Sequence, residues 1–335
     1  MLVVTALGGN ALLRRGQPLE AEAQRRNLLD AVAKAVAPIA RRHQLVITHG
    51  NGPQIGLLAL QAAAYKEVCP YPLDVLGAES EGMIGYLIEQ ALSNELPGRE
   101  IATLLTQVEV DSSDPAFAKP SKPIGPIYGE VEARELSTRT SWTFMPDAGG
   151  FRRAVPSPAP RRIREINVIK LLVQSGMVVI CAGGGGIPVV ATADGALRGI
   201  EAVIDKDLSS ALLAEEIGAD ALLLLTDVPA VWTRWPMSAG RPIGHITPRE
   251  LRSYAFEPGS MAPKVEAACR FAERTGRIAG IGAIDQAEAI LAGGAGTIVA
   301  MSGGANDSVG PRSQCSWQCD RDAQRQPARN FFRRP

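Results

Sequence analysis

The stretch Ala202-Val203-Ile204-Asp205-Lys206-Asp207-Leu208-Ser209-Ser210 sets one lysine between two aspartates. An apolar run follows (Leu208, Ala211, Leu212, Leu213) that reads as a helix. Lysine is scarce in this chain, with seven residues against 28 arginines. A compact ammonium can follow a moving phosphoryl group, whereas a guanidinium is a flat fork suited to a fixed partner. Taken alone, Lys206 reads more simply as a surface lysine paired with a carboxylate. Lys122, in Ser121-Lys122-Pro123-Ile124-Gly125-Pro126, and Lys264, after Pro263, also sit beside Pro, Gly or Asp motifs. Lys34 and Lys170 fall in amphipathic helices and read as surface. Asp205 or Asp207 would orient the lysines, and Asp227, at a strand end, could face a nucleotide or a metal. A helix cap or a turn explains each aspartate equally well.

Three glycine-rich turns could hold an anion: Gly8-Gly9-Asn10, Gly50-Asn51-Gly52 and Gly183 to Gly186. Each follows an apolar strand. Ligands of open α/β sheets sit beyond the carboxyl ends of the strands. Glycine lets backbone N–H groups approach an anion, and a helix N-terminus adds favourable dipole. One such turn would be ordinary chain reversal. Three on one sheet argue an anion or phosphate site.

Missing motifs narrow the chemistry. The chain has no G-x-x-x-x-G-K-S/T, no G-x-G-x-x-G after the first strand and no Gly-x-Ser-x-Gly. Its three histidines (His43, His49, His245) cannot supply a two-histidine helix motif, which disfavours a zinc enzyme. His49, before Gly50, reads as a packed turn histidine at least as well as a ligand. Phosphoryl transfer fits what is left. It needs alignment and positive charge more than acid–base chemistry.

Strands and helices alternate from the start. Leu2 to Leu7 is a strand, Ala21 to Arg42 a helix, Leu45 to Thr48 a strand, and Gln54 to Tyr65 a helix. Glu79 to Leu92 reads as a helix and Ile101 to Thr106 as a strand. After residue 160 come a helix from Ile163 to Gln174, the strand Val178 to Cys181, the strand Ala221 to Leu225 and a helix to about Thr275. Strand, helix and closing strand end the pattern at Val299. Such alternation predicts a mainly parallel sheet covered on both faces. Residues 111–160 interrupt it with eight of the 24 prolines, and read as a small lobe or lid. Residues 301–335, with six arginines, three acids and almost no aliphatic residues, read as a disordered basic tail.

The 335 residues are 46% hydrophobic with zero formal net charge, which fits a soluble globular protein and offers nothing to nucleic acid or an anionic membrane. No apolar run approaches the roughly 20 residues that span a bilayer. The N-terminus reads as a strand and not as a signal peptide. Five scattered cysteines read as reduced thiols, so a cytoplasmic protein is expected.

Six segments together resemble carbamate kinase, within the wider amino-acid kinase superfamily. They are Gly8-Gly9-Asn10-Ala11-Leu12, His49-Gly50-Asn51-Gly52-Pro53-Gln54, Gly82-Met83-Ile84-Gly85-Tyr86, Gly183 to Val189, Glu201 to Asp207, and Gly259-Ser260-Met261 with Pro263 to Ala267. The resemblance runs in order from residue 2 to about 299. Ala64 to Val68 and Pro70 to Leu76 look more like the paralogues associated with allantoin breakdown than those of arginine fermentation.

The resemblance implies a three-layer αβα sandwich over residues 1–300, with a protruding lobe at about 111–160. It implies a homodimer and reversible, Mg2+-dependent transfer between ATP and carbamate, giving ADP and carbamoyl phosphate. Carbamate would lie near Gly8, Gly9, Asn10, Gly50, Asn51 and Gly52. The nucleotide would lie near Gly183, Gly184, Lys206, Asp227, Met261 and Lys264. Lys122 would reach over from the lobe, and Lys206, held by Asp207, would neutralise the transferring phosphoryl. The metal ligands are not specified. Three positions depart from the pattern. Glu81 stands where Gln is usual and would repel an anion if it pointed inward. Ala262 replaces a glycine, and its methyl could narrow the nucleotide mouth. Pro229 replaces a common acidic residue. A kinase for another small carboxylate, or a weakly active nucleotide-binding regulator supported by Glu81 and Ala262, are the competing readings.

Overall fold

The computed structural model describes residues 1–302 except 10–11, 14–16, 18–19, 66–68, 141, 148, 235–239 and 257–258. Its central sheet has eight strands. In spatial order they are His245–Ile246, Thr297–Val299, Ile278–Ala283, Ala221–Thr226, Leu2–Leu7, Gln44–His49, Val178–Ile180 and Ile101–Thr103. Every neighbouring pair is parallel except Ile278–Ala283 with Thr297–Val299.

Strand alternation sorts the side chains into two cores. Along Leu2–Leu7, Val4 and Ala6 face one layer while Val3 and Leu7 face the other. The first layer contains Leu212 and Phe271, from the helices Lys206–Ile217 and Met261–Thr275. The second contains Leu28, Ile84 and Ile88, from the helices Ala21–Ala31 and Leu73–Glu95. The expected three-layer αβα sandwich is therefore present. The strand Ala221–Thr226 (ALLLLT) is buried on both faces and has no polar alternate. Each of its leucines contributes roughly 1.5–3 kcal/mol by leaving water.

Several boundaries differ from the sequence reading, each for a long-range reason. The helix expected at 79–92 spans Leu73–Glu95. Its first N–H, on Leu73, donates to Glu201 Oε2 at 2.8 Å, a cap supplied from 128 residues away. The strand expected at 101–106 stops at Thr103, and Gln107–Glu109 joins a separate four-stranded sheet. Thr106 leaves the register because its N–H donates to Glu81 Oε2 (3.2 Å) while its carbonyl accepts from Ile187 (2.8 Å). Arg162–Ile163 pairs with Gln107–Glu109, so the helix expected from 163 starts at Ile166. The 21–42 helix is continuous but widens to a π turn at Val32–Val36, next to Pro38, whose missing N–H breaks the normal ladder.

The excursion at 111–160 carries an antiparallel sheet of Lys122–Tyr128, Gly150–Val155 and Thr143–Asp147, with the helix Glu130–Thr140. A bulge between Ile124 and Tyr128 breaks the alternation that would have marked it as sheet. The lobe docks backbone to backbone. A Cβ on Gly56 would stand 1.9 Å from the Gly125 Cα, so only glycine fits in the helix Gly52–Ala64 there. Of the expected tail, only Met301 and Ser302 fall within the described residues.

Candidate active site

The strands Leu2–Leu7, Gln44–His49 and Ala221–Thr226 are neighbours in parallel register, with Leu7 opposite both His49 and Leu225. Their carboxyl ends open into one cavity of about 350 Å³, where Gly8, Gly9, Gly50, Asn51, Thr226 and Asp227 form part of the wall. Gly184, after the next strand, joins them. Three helices also begin at this cavity. Gly52 and Pro53 open one, Lys206 and Asp207 a second, and Met261 and Lys264 a third. The positive ends of their dipoles face this space. The lobe adds Lys122 and Arg152.

The charged wall is built around the Lys206–Ile217 helix. Asp205 is its cap: Oδ1 accepts the N–H groups of Asp207 (2.9 Å) and Leu208 (3.3 Å). The other oxygen, Oδ2, takes Lys122 Nζ at 2.8 Å and so ties the lobe to the helix start. Asp207 accepts Lys206 Nζ on Oδ1 and Lys264 Nζ on Oδ2, the latter at 3.1 Å. Ser210 braces the first turn, donating to the Lys206 carbonyl at 2.5 Å while sharing a hydrogen bond with Thr48 on the neighbouring strand.

Lys206 is 8% exposed. Burial works against its ammonium and Asp207 only partly offsets this, so its pKa falls below the ordinary lysine value. Burial works against Lys264 too, but Asp207, Asp205 and Asp227 outweigh it and raise its pKa. Burial disfavours the Asp207 carboxylate, yet the two lysines hold it ionised well below the usual range. A carboxylate clamped between two ammonium groups is a fixed scaffold for cations.

The glycine wall is shaped by close approach. Gly184 has φ +67°, and a Cβ there would lie 2.1 Å from Asn51 Nδ2. That amide donates to Ser80 Oγ at 2.8 Å. The next residue, Glu81, accepts the Gly183 N–H at 2.8 Å. Consecutive residues of the Leu73–Glu95 helix thus pin two glycine turns from behind. Gly183 itself is buried behind the wall and does not line the cavity. A Cβ on it would strike the His49 ring at 2.3 Å. Glu81, 1% exposed, does not line the cavity either, so the expected repulsion of an anion does not arise. Burial pushes its carboxyl up to about 8, against the Thr106 and Gly183 N–H groups that favour the ionised form. Burial likewise drops His49 to about 4, which makes it a neutral, packed turn residue with Nδ1 3.3 Å from the Gly50 carbonyl. Ala262 is not among the residues that line the cavity. Asn10 lies outside the described residues.

Comparison with known proteins decides the family. The amino acid kinase family model matches residues 1–281. A carbamate kinase of Rhizobium meliloti is 54% identical over 305 residues, covering 90% of this chain and 94% of that protein. Carbamate kinase from Giardia lamblia bound to citric acid superposes with a TM-score of 0.84 at 38% identity, covering 89% of this chain and 98% of that one. The same protein bound to AMP-PNP gives 0.80 with the same identity and coverage. The chain belongs to the carbamate kinase family. It is a kinase, with ATP as a substrate.

For a carbamate kinase family member the cavity holds the expected residues in one place. Gly8, Gly9, Gly50, Asn51, Gly52, Gly184, Asp227 and Met261 line it with all three singled-out lysines. Lys34 instead pairs with Asp30 on the surface, as expected. Sequence reasoning missed Arg152, Trp232 and Phe256, which also line the wall. Arg152 is one of 28 arginines and lies in the stretch of weak periodicity, so nothing marked it. No group of three or more His, Cys, Asp or Glu among the described residues is gathered as a metal would need. No described helix is long and apolar enough to cross a membrane.

Proposed function

We propose that the chain catalyses reversible phosphoryl transfer between ATP and carbamate, giving ADP and carbamoyl phosphate, with Lys206 and Lys264 on either side of Asp207 as the working centre. That pair of ammonium groups, fixed on one carboxylate at a helix N-terminus beside glycine turns, is the observation that carries the reading. The small anion is held near Gly8, Gly9, Asn10, Gly50, Asn51 and Gly52, with the Gly8 and Gly50 N–H groups themselves committed to the Leu225 and Leu7 carbonyls. Asp227, Met261 and Lys264 hold the nucleotide, whose base rests against apolar wall such as Phe256 and Trp232. Gly184 is grouped with the anion side because it packs on Asn51, and Gly183 supports it from behind. Lys122 covers the phosphoryl group from the lobe.

Carbamate is already an anion, so no base is needed to activate it. Lys206 stays with the phosphoryl group as it crosses, and Asp207 keeps the ammonium in place. Both oxygens of Asp205 and of Asp207 already accept from lysines or helix N–H groups. These two carboxylates therefore do not fit a resident metal site. Mg2+ would arrive on the nucleotide phosphates, with water completing its shell and its charge offsetting theirs.

In cells the reaction runs towards ATP in a cytoplasmic homodimer, serving allantoin or purine breakdown or arginine catabolism. Support for a dimer comes from apolar exposure on the Leu73–Glu95 helix, where Met83 and Tyr86 are 40% and 55% exposed, with half-exposed Leu105 beside Gly82. The test is a coupled assay supplying ADP, Mg2+ and carbamoyl phosphate. ATP should accumulate. Normal nucleotide binding with no ATP formed would sink the proposal.

A further inference from the structure

The lobe sends two cations to the cavity wall, and they differ. Lys122 is held by Asp205, a carboxylate of that same wall. Arg152 is held from outside it. Its Nε donates to the Gly125 carbonyl at 2.9 Å, and its Nη1 lies 3.2 Å from Asp147 Oδ2. These two bonds fix the plane of the guanidinium. They leave Nη2 with no partner among the described residues. Strand alternation separates Arg152 from Arg153, which turns to Glu201 and stacks over Trp142 instead.

The anchor also places Arg152. Gly125, whose carbonyl it grips, packs directly on Gly56 of the Gly52–Ala64 helix. The first residues of that helix, Gly52 and Pro53, line the cavity. Arg152 is therefore built onto the glycine-turn side of the space. The other lining lysines are committed: Lys206 and Lys264 share Asp207. Arg152 is the lining cation whose charge is not paired with a carboxylate of the wall.

We propose that Arg152 is a specificity-determining residue that grips the small anionic substrate through the Nη edge of its guanidinium. This rests on the carbamate kinase reading above. A planar fork locked in place suits a flat, two-oxygen group such as carbamate, or the phosphate oxygens of carbamoyl phosphate. The lysines, as point charges, are left to accompany the phosphoryl group.

The experiment measures initial rates of ATP formation by the full chain, with KM for carbamoyl phosphate and for ADP determined separately. Arg152→Gln removes charge-assisted hydrogen bonds, so KM for carbamoyl phosphate should rise about tenfold or more. KM for ADP should stay within about twofold, because the loss falls on one substrate. Arg152→Lys keeps the charge without the fork and should recover only part of the loss. A purely structural role would shift both KM values together with the melting temperature. Parallel shifts of that kind, or unchanged values, would overturn the proposal. Should Arg152→Gln fail to fold, a wild-type KM in Arg152→Lys would overturn it alone. A wild-type chain with no turnover would instead count against the carbamate kinase reading.

Discussion

The two walls of the cavity are held by opposite means. The charged wall stands on ion pairs: Asp205 with Lys122, and Asp207 with Lys206 and Lys264. The glycine wall stands on missing side chains, with Gly183 against His49 and Gly184 against Asn51. On the first wall any one lysine can be altered while the carboxylate it leaves keeps another partner. Lys206 can be lost and Asp207 still has Lys264. On the second a methyl group at Gly183 or Gly184 has nowhere to go, although Gly9 and Gly52 have open space beside them. The work of the lysines is therefore separable from folding, and the shape of the turn at Gly183 and Gly184 is not.

The sharpest way to break that contrast is Gly184→Ala. Its φ of +67° is unfavourable for alanine, and the new Cβ would overlap the Asn51 amide. A loss of roughly 2–4 kcal/mol in unfolding free energy is expected, read as a lower denaturation midpoint, with turnover falling in parallel. Normal stability with normal turnover would show that the turn relaxes and that the glycine wall is not rigid.

A smaller effect sharpens the picture behind that wall. The Glu81 carboxyl keeps its proton to about pH 8 in the native state, against 4.5 for the ordinary group. Across that window the native state binds more protons than the unfolded one, so the Glu81 contribution to stability declines as pH rises. His49 acts with the opposite sign: neutral down to about pH 4 when folded, it favours the native state increasingly as pH rises to 6.5. Between pH 6.5 and 8 the Glu81 trend stands alone of the two. Glu81→Gln cannot titrate, so its denaturation midpoint should vary less than wild type between these pH values. Equal slopes would mean that Glu81 is ionised throughout.

The same contrast explains what was legible in the sequence. Central strands such as Leu2–Leu7 and Ala221–Thr226 announce themselves because burial on both faces leaves continuous apolar runs. The glycine turns and the Asp205-Lys206-Asp207 triplet were visible because both depend on local spacing. Capping of Leu73 by Glu201 and the departure of Thr106 towards Glu81 were not, since each depends on a partner far along the chain. Glu81 shows the limit most clearly. Its charge suggested interference with an anion, while its place behind the Gly183 turn makes it a brace. Arg152 went unseen because a bulged three-stranded lobe has no regular period, and because its role depends on Gly125 meeting Gly56.

The central claim is that Lys206 carries chemistry on a scaffold that stands without it. Lys206→Ala, followed by ATP formation from carbamoyl phosphate and by thermal denaturation, tests this most directly. Turnover should drop roughly a thousandfold or more, as expected for removing a fixed charge at the transferring group, with folding cooperative and nucleotide still bound. Near-normal turnover in a folded Lys206→Ala protein would contradict the account and move the chemistry to another lysine.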